Sequence, residues 1–328
     1  MSAGEGSSVR VVVAALAGNL LIAVSKFVAA FFSGSIATLA EAIHSVADCV
    51  NQVLLMIGMR RAERRPSNLH PFGHAAESYF WPFMVSVLIF LLGGVFAFYE
   101  GSRDLYEMAI GEHRESTGSR IWSYVVLGTS FALESYSFSV AFGEFKKMIG
   151  KRTVWQTLMH AKDPTIPVVL AEDSAALLGL AIALVAVGLT DLTGWHGCDA
   201  IGSIVIGILL GVIGFFLAAR THSLLLGEAA SPEDREKVEH VAKTVDGVER
   251  VTQLLSMHIG PRAVILALKV RFVRELSMEK LESTIDALEE AIRKEMPHMR
   301  YIFVEPDSDY ALERDEGRPV VTKKTAGF

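Results

Sequence analysis

Six stretches of this chain are each apolar over about the thickness of a lipid bilayer, which leaves few ways for it to fold. A bilayer's hydrocarbon core is about 30 Å thick, so a helix needs roughly 20 mainly apolar residues to cross it. Stretches of this kind lie at Val11–Phe32, Ile36–Met59, Phe80–Tyr99, Ile121–Phe142, Thr165–Leu189 and Asp199–Ala219. The first two are separated only by Ser33-Gly34-Ser35, a tight hairpin at one membrane face. Composition points the same way: 51% of the 328 residues are hydrophobic and 21% are charged, with 37 acids against 31 bases. That is too oily for one ordinary soluble domain and too weakly charged for a nucleic-acid binder. Two cysteines, Cys49 and Cys198, lie in or beside apolar runs, which excludes a disulfide framework or a Cys-rich zinc ribbon.

The basic residues set the expected topology, because loops rich in Lys and Arg stay on the cytoplasmic side. Arg60, Arg61, Arg64 and Arg65 follow the second stretch, and Lys146, Lys147, Lys151, Arg152 and Lys162 lie between the fourth and fifth. The opposite loops hold Arg103, Arg114 and Arg120. Six crossings with both termini cytoplasmic follow. The first stretch is too long for a signal peptide and runs straight into the next span. The polar start lacks an Arg-rich presequence, so a prokaryotic plasma membrane is the expected location.

Beyond residue 225 the pattern becomes that of a water-soluble module, expected over 226–310 with a frayed tail at 311–328. Ser231-Pro232-Glu233-Asp234 is a helix-start signal for a helix running to Val245. Apolar alternation predicts strands at Val251–Ile259 and Val264–Val273 around the turn Gly260-Pro261-Arg262. An amphipathic helix follows from Ser277 to Met296, with Met278, Leu281, Ile285, Leu288 and Ile292 at three- and four-residue steps. A last strand covers Tyr301–Val304. The order αββαβ fits a ferredoxin-like α+β sheet with its helices on one face.

Ionisable groups inside hydrocarbon are expensive, so their default meaning is functional. The second stretch holds Glu41, His44 and Asp48. His44 and Asp48 lie four apart, hence about 40° apart around a helix and one turn along it. An imidazole and a carboxylate at that spacing are half of a tetrahedral zinc site, and another helix must supply the rest. The fifth stretch carries the adjacent acids Glu172 and Asp173, which point about 100° apart. Glu134 lies in the fourth. The competing account is that these groups are structural polar contacts, paired with Lys26, Asn19 or one another. Lys26 sits near the outer end of the first stretch, where a lysine can snorkel to the interface.

The run Ser33 to Asp48, SGSIATLAEAIHSVAD, followed by His70-Pro71-Phe72-Gly73-His74 and Glu77, resembles the cation diffusion facilitator family of metal transporters. Asn19, Asp199, Gly260-Pro261-Arg262 and Val304-Glu305-Pro306 extend the likeness over all six stretches and the soluble module. Glu172-Asp173 together with Glu134 resembles the branch that includes zinc transporter nine. In the family, a His or Asp and an Asp four residues later meet a matching pair on the fifth helix. The resemblance therefore implies His44, Asp48 and Asp173 as ligands. The family's fourth position falls on Val169, and Glu172, about 60° from it around the helix, or a water stands in. His70 and His74 match histidines that bind an accessory zinc in some members, but the acid three residues before the first is Ser67 here. Phe303 and Lys269 replace ligands of the cytoplasmic binuclear site, while His240, His258 and His298 remain in the module.

Beyond the site, the resemblance implies a homodimer paired through the soluble module and an exporter that exchanges a divalent metal for protons by alternating access. Metal and protons compete for the same lone pairs, and His44 titrates nearest neutrality. One imidazole among carboxylates favours Zn2+, whereas an oxygen-dominated site shifts toward Mn2+ or Fe2+. Gly207 and Gly211, with Gly202 and Gly214, predict a close helix contact in the sixth stretch. Tyr79, Phe80 and Trp81 mark a membrane interface. The lost ligands Val169, Phe303 and Lys269 support a different class, a non-transporting metal sensor or scaffold, and a passive channel would carry the same buried acids. An enzyme is the weakest alternative, since no nucleophile with a general base and no phosphate-binding loop is present.

Overall fold

The protein is described by a computed structural model over residues 3–33, 36–110, 120–150, 153–195 and 197–307. Within these, side chains are described except at 3–5, 33, 36–41, 43, 44 and 120–123. The chain divides into two compact units, Met1–Leu226 and Gly227–Phe328.

The first unit is helical: α1 (Ala3–Ser33), α2 (Ile36–Ala62), α3 (Glu77–Leu88), a π-helical segment (Ile89–Val95), α4 (Phe96–Ala109), α5 (Arg120–Ile149), α6 (Val154–His160), α7 (Thr165–Thr193) and α8 (Gly197–Leu226). Among the described residues, five spans are long and apolar enough to cross a membrane: Gly6–Phe32, Glu77–Ala109, Tyr124–Ile149, Thr165–Thr193 and Gly197–Leu226. The chain is thus a multi-pass membrane protein. The other expected crossing, α2, is comparable in length at 27 residues. It is less apolar because it carries Asp48, Asn51 and Gln52 and ends on Arg60 and Arg61.

The third expected crossing is one continuous rod, α3 through α4, with a π turn at its centre where Gly93 and Gly94 relax the backbone. The short helix α6 was not expected from the sequence. Thr153 and Gln156 start it with a reciprocal capping box, the Thr153 Oγ1 accepting from the Gln156 N–H and the Gln156 Oε1 from the Thr153 N–H.

Two kinds of helix contact build this unit. Helix α1 packs on α2, α5 and α7, and α5 packs on α7. Helix α8 runs along α3, the π segment and α4, and also touches α7. The seam between α8 and α4 is made by glycine. A Cβ at Gly94 would stand 2.6 Å from the Cα of Gly211, and one at Gly207 would collide with the backbone of Phe98. The GxxxG step therefore lies within the protomer, against the π segment and α4.

At the end where α1 starts and α2 ends, Val12, Leu55, Phe145, Val168, Val169 and Leu217 form a buried apolar cluster. Farther along the same helices comes a band of buried polar residues: Asn19, Ser45, Asn51, Gln52, Ser130, Glu134, Ser137 and Asp173.

The second unit follows the expected order: α9 (Pro232–Lys243), β1 (Val248–Gly260), β2 (Ala263–Phe272), α10 (Met278–Glu295) and β3 (Met299–Pro306). Its three-stranded sheet has the order β1-β2-β3, with β1 antiparallel and β3 parallel to β2. Val264, Leu266, Leu268 and Val270 alternate inward along β2 and meet Val238, Leu288, Ile292 and Met299. Ser231 and Ser277 cap the two helices through their side-chain oxygens.

The glycine seam makes the first prediction. Gly94→Ala lacks room for its methyl against backbone and should destabilise the protein by about 1–3 kcal/mol. Gly128→Ala, where nothing lies within 4 Å of the new Cβ, should be neutral or stabilising by up to about 1 kcal/mol. Thermal unfolding of the purified protein followed by tryptophan fluorescence checks the contrast.

Candidate metal centre

The polar band concentrates acids from three helices. Glu134 of α5 lies within electrostatic reach of Asp48 of α2 and Asp173 of α7, and Glu172 of α7 within reach of all three. Two are almost wholly enclosed, Asp173 at 2% and Glu134 at 8% exposure. Helix geometry explains the convergence, since Glu134 and Ser137 lie three apart on one face of α5 and Asp48 and Gln52 four apart on one face of α2.

Each described carboxylate has a specific environment. Asp173 Oδ2 accepts from the Ser137 hydroxyl at 2.8 Å. Glu172 spans to α2, accepting from Asn51 Nδ2 on Oε1 at 3.0 Å and from Gln52 Nε2 on Oε2 at 2.8 Å. Glu134 lies in the field of Lys26 from α1. Lys26 is half-buried, as a lysine with a packed stem and an outward ammonium is.

The expected ligands are therefore distributed as follows. Asp48, Glu134, Glu172 and Asp173 share the band, while the side chains of His44 and Glu41, whose backbones lie on α2, fall outside the described residues. Among the described residues no three His, Cys, Asp or Glu groups stand close enough together to hold a metal ion. Glu172 and Asp173 are turned toward neutral donors on neighbouring helices. Three such donors, Ser137, Asn51 and Gln52, were not singled out from the sequence. For Asn51 and Gln52 a signal was present, because they lie three and four residues beyond Asp48.

His70 and His74 sit in the loop between α2 and α3, their ring centroids 4.6 Å apart. The loop turns on Gly73, at φ 80°, whose N–H donates to the His70 carbonyl, and the Ser67 Oγ accepts from the His70 N–H. Glu77 accepts from the Trp81 indole on its own helix and stands 3.9 Å from Arg61 at the end of α2. In the second unit Lys269 pairs with Glu305 at 3.6 Å and Phe303 is exposed. His258 is buried, and His298 stands 3.4 Å from Asp234.

Comparison with known proteins extends these observations. Residues 12–226 match the cation efflux transmembrane domain, and residues 230–309 match the cation efflux protein cytoplasmic domain. The chain belongs to the cation diffusion facilitator family of metal transporters. It falls in the zinc transporter nine-like branch: it is 31% identical over 272 residues to the mouse "Proton-coupled zinc antiporter SLC30A9, mitochondrial", covering 82% of this chain and 46% of that protein. It is 35% identical over 256 residues to "Metal tolerance protein C4" of Arabidopsis thaliana, covering 77% and 55%. The "Manganese efflux system protein MneP" of Bacillus subtilis is 23% identical over 259 residues, covering 78% and 81%. The chain thus spans about half the length of the mouse and plant relatives. Family members move metal cations and are not enzymes.

The Ser137 bond is testable. Ser137→Ala leaves one oxygen of a buried carboxylate without its donor and should destabilise the protein by about 1–3 kcal/mol. The penalty should shrink in an Asp173→Asn background, and a double-mutant cycle on thermal stability measures that coupling.

Proposed function

We propose that this chain exports divalent metal cations, with Zn2+ as the favoured substrate, in exchange for protons. Its carrying observation is the enclosed acidic cluster: Asp173 and Glu134 are buried among apolar spans, Glu134 lies within electrostatic reach of Asp173 and Asp48, and Glu172 within reach of all three. Groups of this kind in a membrane mark an ion or proton pathway. We assign His44, Asp48 and Asp173 as ligands, with Glu172 completing the set when it leaves its amide partners. Glu134 and Glu41 line the route, and His70 and His74 stand at its basic-loop end. Homodimerisation is assigned to the second unit, which matches the family's cytoplasmic domain, with the basic loops and both termini on the cytoplasmic side.

Exchange follows from the donor chemistry. An incoming cation needs the lone pairs that Ser137, Asn51 and Gln52 now occupy, so its binding and the release of these hydrogen bonds are one event. Bound protons compete for the same lone pairs, which couples the two flows without a second channel. Among the described residues, helices α2 and α7 share little direct packing and are joined by the Glu172 bonds. Their relative movement is the step that changes access.

Mn2+ transport is the second candidate, favoured by the preponderance of oxygen donors and by the likeness to the manganese efflux protein of Bacillus subtilis. Proteoliposomes loaded with a fluorescent metal indicator and given a pH gradient separate the alternatives. Zn2+ flux should rise with the gradient and fall at least about tenfold, the order of a lost metal ligand, in Asp48→Asn and Asp173→Asn proteins that remain folded. Manganese flux without zinc flux would reverse the choice of metal, and flux indifferent to the gradient would point to a channel.

A further inference from the structure

His44, Asp48 and Gln52 follow one another at four-residue steps, so they form one stripe along α2. The first two are the proposed ligands, and Gln52 is the next rung toward the Arg60 and Arg61 end. Gln52 is fully buried, its Nε2 is committed to Glu172 at 2.8 Å, and its Oε1 is enclosed without any hydrogen-bond partner. A buried carbonyl oxygen without a donor is unfavourable, and natural structures seldom keep one without reason. Here the orphan acceptor sits beside a carboxylate in a field made negative by Asp48 and Asp173. What that location lacks is positive charge.

We infer that Glu172, Gln52 and Asn51 form an oxygen-donor cation subsite, one turn along α2 from Asp48, which takes a hard divalent ion such as Mn2+. This rests on the proposed transport function and adds ligands that it does not name. An amide suits the position because it has two ends. With no cation present, the NH2 groups of Asn51 and Gln52 satisfy the Glu172 carboxylate. When a cation arrives between the carboxylate and the unpartnered Gln52 Oε1, that oxygen receives it where it stands, the Asn51 amide turns end for end to present its own oxygen, and the carboxylate exchanges its N–H donors for the ion. A leucine here could do neither, and a second carboxylate could serve only the loaded state. Carbonyl and carboxylate oxygens prefer hard ions, whereas the His44 imidazole favours zinc. The two rungs therefore differ in selectivity.

Titration calorimetry of the full chain in lipid nanodiscs, with MnCl2 and with ZnCl2, tests this. Gln52→Leu should weaken Mn2+ binding by about tenfold, the order seen when a group supporting a metal site is lost, and Zn2+ binding by much less. Asp48→Asn should weaken both. Unchanged Mn2+ affinity, or equal weakening of the two ions, would overturn the subsite. Should Asp48→Asn leave both ions unaffected while Gln52→Leu still acts on Mn2+, the subsite stands and the central site falls. If Gln52→Leu does not fold, Gln52→Glu, which keeps the size and adds a carboxylate, should bind Mn2+ more tightly than wild type; equal or weaker binding overturns the assignment.

Discussion

Carboxylates carried into hydrocarbon must meet donors or a cation, and the helical unit is arranged around that requirement. Glu172 and Asp173 each meet their donors on another helix. Asp173 and Glu172 come from α7, the Ser137 hydroxyl and Glu134 from α5, the amides from α2 and Lys26 from α1. Satisfying the acids is therefore the same act as gathering these four helices. The polar band is flanked on the α1-start side by close-packed aliphatic and aromatic side chains, which keep water from competing for the same bonds. Inside that low-dielectric layer each hydrogen bond is stronger than in water, and each unmet group more costly.

The rest of the unit needs no such groups and is joined by a different force. Where α8 meets α4, contact is made backbone to backbone because Gly94, Gly207 and Gly211 present no side chain. With lipid as apolar as leucine, such van der Waals fit is the main attraction open to membrane helices. It depends steeply on separation, so the α4–α8 seam resists sliding. The α2–α7 pair is the opposite case, joined by long side chains whose amide and carboxylate ends can exchange partners. One contact is close backbone fit and the other is side-chain hydrogen bonding.

Much of this was legible in the sequence because the bilayer simplifies the rules. Length and apolarity locate α1, α3–α4, α5, α7 and α8, and the period-two and period-four patterns after residue 226 locate β1, β2 and α10. The acids could be singled out because an ionisable group in oil is conspicuous. The π segment was hidden, since Gly93-Gly94 in an apolar run reads equally well as a close helix contact. Helix α6 is too short to show a period and is set by its cap. Ser137, Asn51 and Gln52 were passed over because neutral polar residues are tolerated in spans for many reasons, and their importance depends on which face of the neighbouring helix meets them. That Lys26 lies within electrostatic reach of Glu134 was likewise hidden, since the two are more than a hundred residues apart in the chain.

A carrier must bind its ion well enough to take it and loosely enough to give it up. Four carboxylates held rigidly toward one point would repel each other when empty and grip a cation too firmly when full. The described arrangement avoids both extremes, because the acids are close enough to share a field yet Glu172 and Asp173 are each stabilised by neutral donors. In the proposed exchange those hydrogen bonds are surrendered when an ion is bound, and regaining them helps to expel it. On that reading the amides of α2 and the hydroxyl of α5 set the balance between capture and release, while the carboxylates alone would set only the strength of capture.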